Sequence, residues 1–215
     1  MPRCVVAVFG LARACGATVV ARALAVELAA RDPTGAAAVE CGASASGIPL
    51  ATQAASRLAR ALEDLPGATT KAVGRLCLVE GVDRLALADS SRHLAPLVLD
   101  AGSASIGGAA AAMADRAVLV ATPEVEPALA RVAAECLARL GADSIVVVNR
   151  GRPDDDLGAG AGGGAARGTH TPEKAEVVRL PEARLAAQLA LGGREPRGDF
   201  GRAIAVLANR CEGPA

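Results

Sequence analysis

The sequence predicts a doubly wound α/β fold built on a mainly parallel sheet, and three observations carry that prediction. Short apolar runs alternate with Ala-rich helical patterns along almost all of the 215 residues, the rhythm of repeated strand–helix units. Several runs are near-continuous in Val, Leu and Ala, as in Val5-Val-Ala-Val-Phe9 and Ile145-Val-Val-Val148. Such runs suit parallel strands covered on both faces. The first run also ends in a loop of small residues, Gly10-Leu-Ala-Arg-Ala-Cys-Gly16, which opens a long Ala/Leu/Val helix.

In chain order, strands are expected at 4–10, 35–41, 75–80, 96–101, 117–122, 144–149 and 176–180. Helices are expected near 17–31, 50–64, 104–114, 125–140, 182–191 and 199–210. The last of these carries Ile204, Leu207 and Ala208 on one side and is expected to dock on the body, not in a membrane. Phe200 is its only aromatic residue and its polar face is not Lys-rich, unlike an interfacial anchor. One segment breaks the rhythm. Residues 151–173 hold Asp154-Asp-Asp156, a Gly/Ala tract from Gly158 to Ala166, and Thr169-His-Thr-Pro172. With few apolar side chains, nothing there offsets the entropy of ordering. It is expected to be a flexible Gly-rich loop inside one domain spanning 1–215, because strand and helix patterns resume at once.

Composition narrows the function. The chain is 52% hydrophobic but only 1% aromatic, so its core is aliphatic and it has few rings on which bases could stack. With 23 basic and 23 acidic residues it carries no net charge, which favours neither direct nucleic-acid binding nor an anionic membrane surface. Six cysteines are scattered without a CxxC pair, and Cys4, Cys77 and Cys136 lie inside apolar strand or helix patterns. Free buried thiols in a reducing cytosol fit this better than disulfides. No uncharged apolar run approaches the ~18 residues of a spanning helix, and the short N-terminal lead is not a signal peptide. A cytoplasmic protein without stable membrane insertion is expected.

Chemistry belongs in the loops after the strands, because doubly wound sheets bind ligands beyond their carboxyl ends. The 10–18 loop has the layout of a phosphate-binding loop, in which backbone N–H groups and a helix N-terminus cradle an α/β-phosphate. That pattern ends in Gly, Lys and Ser/Thr; here the three positions read Gly16, Ala17 and Thr18. The glycine and the hydroxyl remain, and Thr18 is placed to meet Mg²⁺. The ammonium that reaches the β- and γ-phosphates is missing. Read alone, the loop fits a plain glycine turn joining a strand to a helix better than a phosphate site.

Leu97-Val-Leu-Asp100-Ala-Gly102 ends a second apolar strand in a carboxylate. In P-loop NTPases such an Asp holds Mg²⁺; otherwise it caps the following turn. Both loops in one sheet favour a phosphate site. Asn149-Arg150 ends a third strand, where an amide either meets a purine edge or makes a local turn. Thr122-Pro123-Glu124 closes a fourth. His93 and His170 have no Cys or carboxylate at metal-ligand spacing, so metal or nucleophile roles are not expected; the Asp154–Asp156 run fits a solvated loop better than a cation site.

In their order these segments resemble the MinD/ParA class of P-loop NTPases, the deviant-Walker proteins of division-site placement, partition and pilus positioning. The resemblance runs through 4–31, Leu97–Gly102, Met113–Glu124, Gly141–Arg150 and Val177–Leu185 to the final helix. It implies a three-layer P-loop fold of the SIMIBI class. It places Gly10, Arg13, Gly16, Ala17, Thr18 and Val19 around the nucleotide phosphates. Asn149, Arg150 and Pro181 fall on the base pocket, and Thr18 and Asp100 on the metal.

The sequence departs from the family at Ala12-Arg-Ala-Cys-Gly16-Ala17-Thr18, which lacks both the signature lysine and the P-loop lysine. After the second strand the family has acidic residues, one of which sets up the attacking water; here Glu40-Cys-Gly-Ala-Ser follows. This resembles the atypical branch of CpaE/TadZ-like and septum-site-determining-like proteins. The resemblance implies positioning or scaffolding through a homodimer or a protein partner. It also implies weak binding of ATP with Mg²⁺, and no catalytic residue is assigned. Losing the lysine removes a charge-assisted contact worth about 1.5–3 kcal/mol, roughly tenfold to over a hundredfold in affinity. Two alternatives stay open: an active ATPase in which Arg13 or a partner's residue substitutes for the lysine, and a scaffold that binds no nucleotide.

Overall fold

The computed structural model describes residues 4–41, 57–63, 68–81, 86, 88–89, 92–103, 106, 108–125, 127–139, 141–150 and 176–212. Eight strands form one sheet: β1 (Val5–Gly10), β2 (Ala36–Glu40), β3 (Ala68–Val73), β4 (Leu76–Gly81), β5 (Leu97–Gly102), β6 (Arg116–Ala121), β7 (Asp143–Asn149) and β8 (Glu176–Leu180). Their spatial order is β3-β4-β2-β5-β1-β6-β7-β8. All pairings are parallel except β3–β4. Helices of the described residues include α1 (Ala17–Arg31), α2 (Arg57–Glu63), α3 (Ala109–Met113), α4 (Pro127–Arg139), α5 (Arg184–Leu191) and α6 (Gly198–Glu212).

The apolar runs behave as strands covered on two sides. Val6 and Val8 of β1 join the core under α1, α5 and α6. Val5, Ala7 and Phe9 alternate into the core beneath α2, α3 and α4. Burying one such Val or Phe side chain contributes about 1.5–3 kcal/mol, so these alternating cores set the register of every central strand.

Helix α1 shows no amphipathic stripe. Ala17, Val20, Ala21, Arg22, Ala23, Leu24, Ala25, Val26, Leu28 and Ala29 are all buried, because β5 and β2 lie on one side and α5 and α6 on the other. A helix covered all round is apolar all round. Helix α6 docks through Phe200, Ile204, Leu207, Ala208 and Cys211, the face expected from the sequence. Arg31, at the end of α1, pins it by donating to Glu212 Oε2 at 2.8 Å and to the Ala205 carbonyl at 2.9 Å. Among the described residues, no helix is long and apolar enough to cross a membrane.

Three features differ from the sequence reading. β3 was not expected; it pairs antiparallel with β4 through a tight turn at Gly74, whose φ is 58°. Of the helix expected over 104–114, the described residues show Ala109–Met113 as helix, with Ile106 and Gly108 outside it. Cys136, expected to be buried, is exposed on α4, while Cys15, Cys77 and Cys211 are buried and all six thiols are free. The 151–173 segment lies outside the described residues, as do His170 and Asp154–Asp156.

Candidate functional site

The strand order reverses direction around β1: the chain moves from β1 to β2 on one side, then from β5 across β1 to β6. Crevices at such switch points are where doubly wound sheets bind ligands. The 10–16 loop rises there. Its entry is tight, since a Cβ on Gly10 would meet Cys15 Sγ at 2.8 Å and the Gly102 carbonyl at 3.3 Å. The Leu11 amide donates to Val120 O at 2.9 Å, tying the loop to β6. Ala14 and Gly16 adopt left-handed conformations with φ of 56° and 91°. Gly16 is the N-cap of α1, with no side-chain cap, and the first turn holds no acidic residue. The first amides of α1 and the positive end of its dipole thus meet no carboxylate of the helix itself.

Two residues from the end of β7 brace this loop. Asn149 is buried; its Nδ2 donates to the Cys15 carbonyl at 2.8 Å, and its Oδ1 accepts from the Arg150 amide at 3.1 Å. Arg150 turns the chain with φ of 60° and reaches the Ala14 carbonyl at 3.4 Å. Beside them opens a cavity of about 260 Å³ lined by Gly16, Val19, Asn149, Arg150, Pro181, Glu182, Ala183, Arg184, Ala187 and Phe200. Val19, Pro181, Ala187 and Phe200 give it apolar walls, while Asn149, Glu182 and the two arginines give it polar groups. Few such groups among apolar walls is the make-up of a small-molecule site.

A second set of polar residues gathers where β2 and β5 end. Asp100 pairs in register with Val8 on one side and Glu40 on the other. Both acids continue the strand faces that carry Ala38 and Val98 under α1. The Thr18 hydroxyl is hydrogen-bonded to Asp100, and the Gly102 amide donates to Asp100 Oδ1 at 3.1 Å. Burial raises the Asp100 pKa above the usual carboxylate value and the Glu40 charge adds to this, against the opposing effects of Thr18, the Gly102 amide and Arg22. Glu40 forms a buried ion pair with Arg22 of α1, with the two side chains 5% and 1% exposed.

Mg²⁺ is the ion that the resemblance implies at Thr18 and Asp100, and the donor set does not suit it. Mg²⁺ wants ionised carboxylates and room for its waters. Here Glu40 is engaged by the Arg22 guanidinium, which already places a positive charge beside both acids. Among the described residues, no group of three or more His, Cys, Asp or Glu side chains is placed to hold a metal.

The structure therefore brings together Gly16, Val19, Asn149, Arg150 and Pro181 around one cavity, and Thr18 with Asp100 beside it. Gly10 shapes the entry of the loop, and Ala17 is buried in the first turn of α1. Arg13 is exposed and is not among the cavity-lining residues. Sequence reasoning missed Glu182, Ala183, Arg184, Ala187, Phe200 and, above all, Arg22. The signal for Arg22 was present as the one charged residue between Thr18 and Val26.

No family model matches the sequence, and no curated protein does either. Solved structures do match in fold. A ParA family ATPase from Chlorobium tepidum TLS superposes with a TM-score of 0.62 at 15% identity, over 96% of this chain and 98% of that one. The MinC:MinD cell division protein complex of Aquifex aeolicus gives 0.63 at 17% identity, over 98% and 96%. The Cyanothece McdA(D38A)–ATP complex gives 0.63 at 14% identity, over 99% and 97%. The chain thus has the α/β fold of MinD/ParA-type P-loop ATPases.

Proposed function

We propose that this protein is a positioning or scaffolding protein of the MinD/ParA type, of the atypical CpaE/TadZ-like kind, which binds an adenine nucleotide weakly and acts through a homodimer or a protein partner. It works in the cytoplasm, where six free thiols stay reduced. The single observation behind this reading is the cavity that joins Gly16 at the head of α1 to Asn149, Arg150 and Pro181. Those are residues that the resemblance assigns to phosphate and base. The loop amides and the N-terminus of α1 receive phosphate oxygens, and the apolar walls take the purine. Turnover is not part of the proposal, because Ala17 supplies no ammonium and Arg13 lies outside the cavity lining. Neighbours in fold supply the precedents: McdA was solved with ATP and MinD with MinC.

Calorimetric titration with ADP and ATP tests the reading. Wild type should bind in the micromolar-to-millimolar range, roughly −4 to −8 kcal/mol. Ala187→Trp, which fills the cavity from α5, should lose at least tenfold. Absence of binding to wild type leaves the second alternative, a scaffold without nucleotide.

A further inference from the structure

We infer that this site reads only the nucleoside and its first two phosphates: it takes ADP and ATP alike and needs no divalent cation, because the Arg22–Glu40 ion pair closes the half that would read a γ-phosphate and its metal. The inference rests on the nucleotide reading above and specifies its ligand.

What remains intact lies on the diphosphate side. The cavity of about 260 Å³ has Gly16 in its wall, where the chain enters α1 in a left-handed conformation without a capping side chain. Arg150 and Arg184 line the same space and offer positive charge to a diphosphate. None of these groups requires a third phosphate.

On the other side, the groups that would respond to a γ-phosphate are missing or occupied. Ala12 and Ala17 stand where the family has its two lysines, and Arg13 is exposed outside the cavity lining. Glu40 sits at the end of β2 in register with Asp100, so two carboxyl groups lie on neighbouring strands under α1. In an open site a divalent ion would balance such charges. Here the balancing charge is covalently part of α1: Arg22 reaches Glu40, and both side chains are almost wholly buried. Thr18 is turned to Asp100. A divalent ion entering would meet a fixed guanidinium and would have to take Glu40 from it, leaving that guanidinium buried beside a dication. A γ-phosphate would arrive without either partner that normally offsets its charge.

Titrating the full chain with ADP and with ATP, each in excess Mg²⁺ and in EDTA, tests this. The four dissociation constants should agree within about threefold. ATP binding at least tenfold tighter than ADP in Mg²⁺, or a tenfold loss of ATP affinity in EDTA, overturns the inference and leaves the nucleotide reading standing. No binding of either nucleotide in either buffer overturns both. Arg22→Met, which releases Glu40, should make ATP binding tighter in Mg²⁺ than in EDTA. A folded variant that stays indifferent to Mg²⁺ shows that the pair is not what closes the site. The wild-type titrations decide the matter if that variant does not fold.

Discussion

The side-chain nitrogen of Asn149 lies 2.2 Å from the point that a Cβ on Gly16 would occupy. Loop and strand end are thus fitted to each other with no space for one added carbon, and Gly16 also holds φ of 91°. Gly16→Ala should therefore cost about 1–2 kcal/mol from backbone conformation alone and push Asn149 off the Cys15 carbonyl. Chemical denaturation of Gly16→Ala, Asn149→Ala and the double variant checks this. The two losses should be less than additive, because removing the amide relieves the clash. Simple additivity would show that the two residues do not compete for one space.

Removing one member of the buried Arg22–Glu40 pair should be far worse than removing both. Glu40→Gln or Arg22→Met leaves a charge in the interior, at a cost of about 3–5 kcal/mol. Arg22→Met combined with Glu40→Leu should recover most of that, since well-packed apolar replacements of buried pairs are often neutral. Urea unfolding midpoints of the three variants measure it. A double variant as unstable as the sum of the singles would mean that packing, not charge, is at stake.

Asp100 makes stability depend on acid. Its pKa is raised above its ordinary 3.8, chiefly by burial. Over the interval between the two values the folded state holds the proton and the unfolded state has lost it. Stability therefore falls as pH rises through that interval. Asp100→Asn has no such titration. It should be at least as stable as wild type at pH 7, with the advantage disappearing below the ordinary carboxylate value. A deficit independent of pH would contradict this sign.

Thiol labelling should separate the cysteines by position. Cys136 is exposed on α4 and should react first in the native protein, a phase lost in Cys136→Ser. Cys4 donates its S–H to the Cys211 carbonyl at 3.1 Å. Burial, with the nearby Asp115 charge, lifts its pKa from 9.0 to about 11. Little of the reactive thiolate exists there at pH 8. Cys4 should label slowly, and stability should decline as pH rises from 9.0 toward 11. Prompt modification of Cys4 at pH 8 would overturn that picture.

The parts of the fold that were legible in the sequence are those where one physical cause dominates. β1, β5, β6 and β7 announce themselves because strands buried on both faces must be apolar throughout, and α1 because a helix sandwiched between two layers must be as well. β3 was not legible: Ala68-Thr-Thr-Lys-Ala-Val73 is a short edge strand whose polar residues give no apolar run. At the site, Gly16 and Asn149 drew attention because one opens a helix and the other closes a strand where the order of elements dictates a ligand crevice, whereas Pro181 came from the resemblance alone. Glu182, Arg184 and Phe200 could not, since the approach of α5 and α6 to the 10–16 loop depends on how the last third of the chain packs over α1. The Arg22–Glu40 pair joins residues 18 apart across two elements, and no local pattern encodes such a match.

The placement of α1 has a consequence for how the chain comes off the ribosome. Its inner face finds β2 soon after synthesis and β5 some 70 residues later, yet among the described residues its outer face is covered by α5 and α6, at the far end of the chain. Until residues 184–212 emerge, an Ala/Leu/Val surface on the first helix stands bare. The nascent protein then has its 10–16 loop in place but no wall beside it. Ligand and chaperone are therefore concerned with opposite ends of one timetable: the earliest helix is the one most in need of shelter, and the site at its head is the last part to be finished.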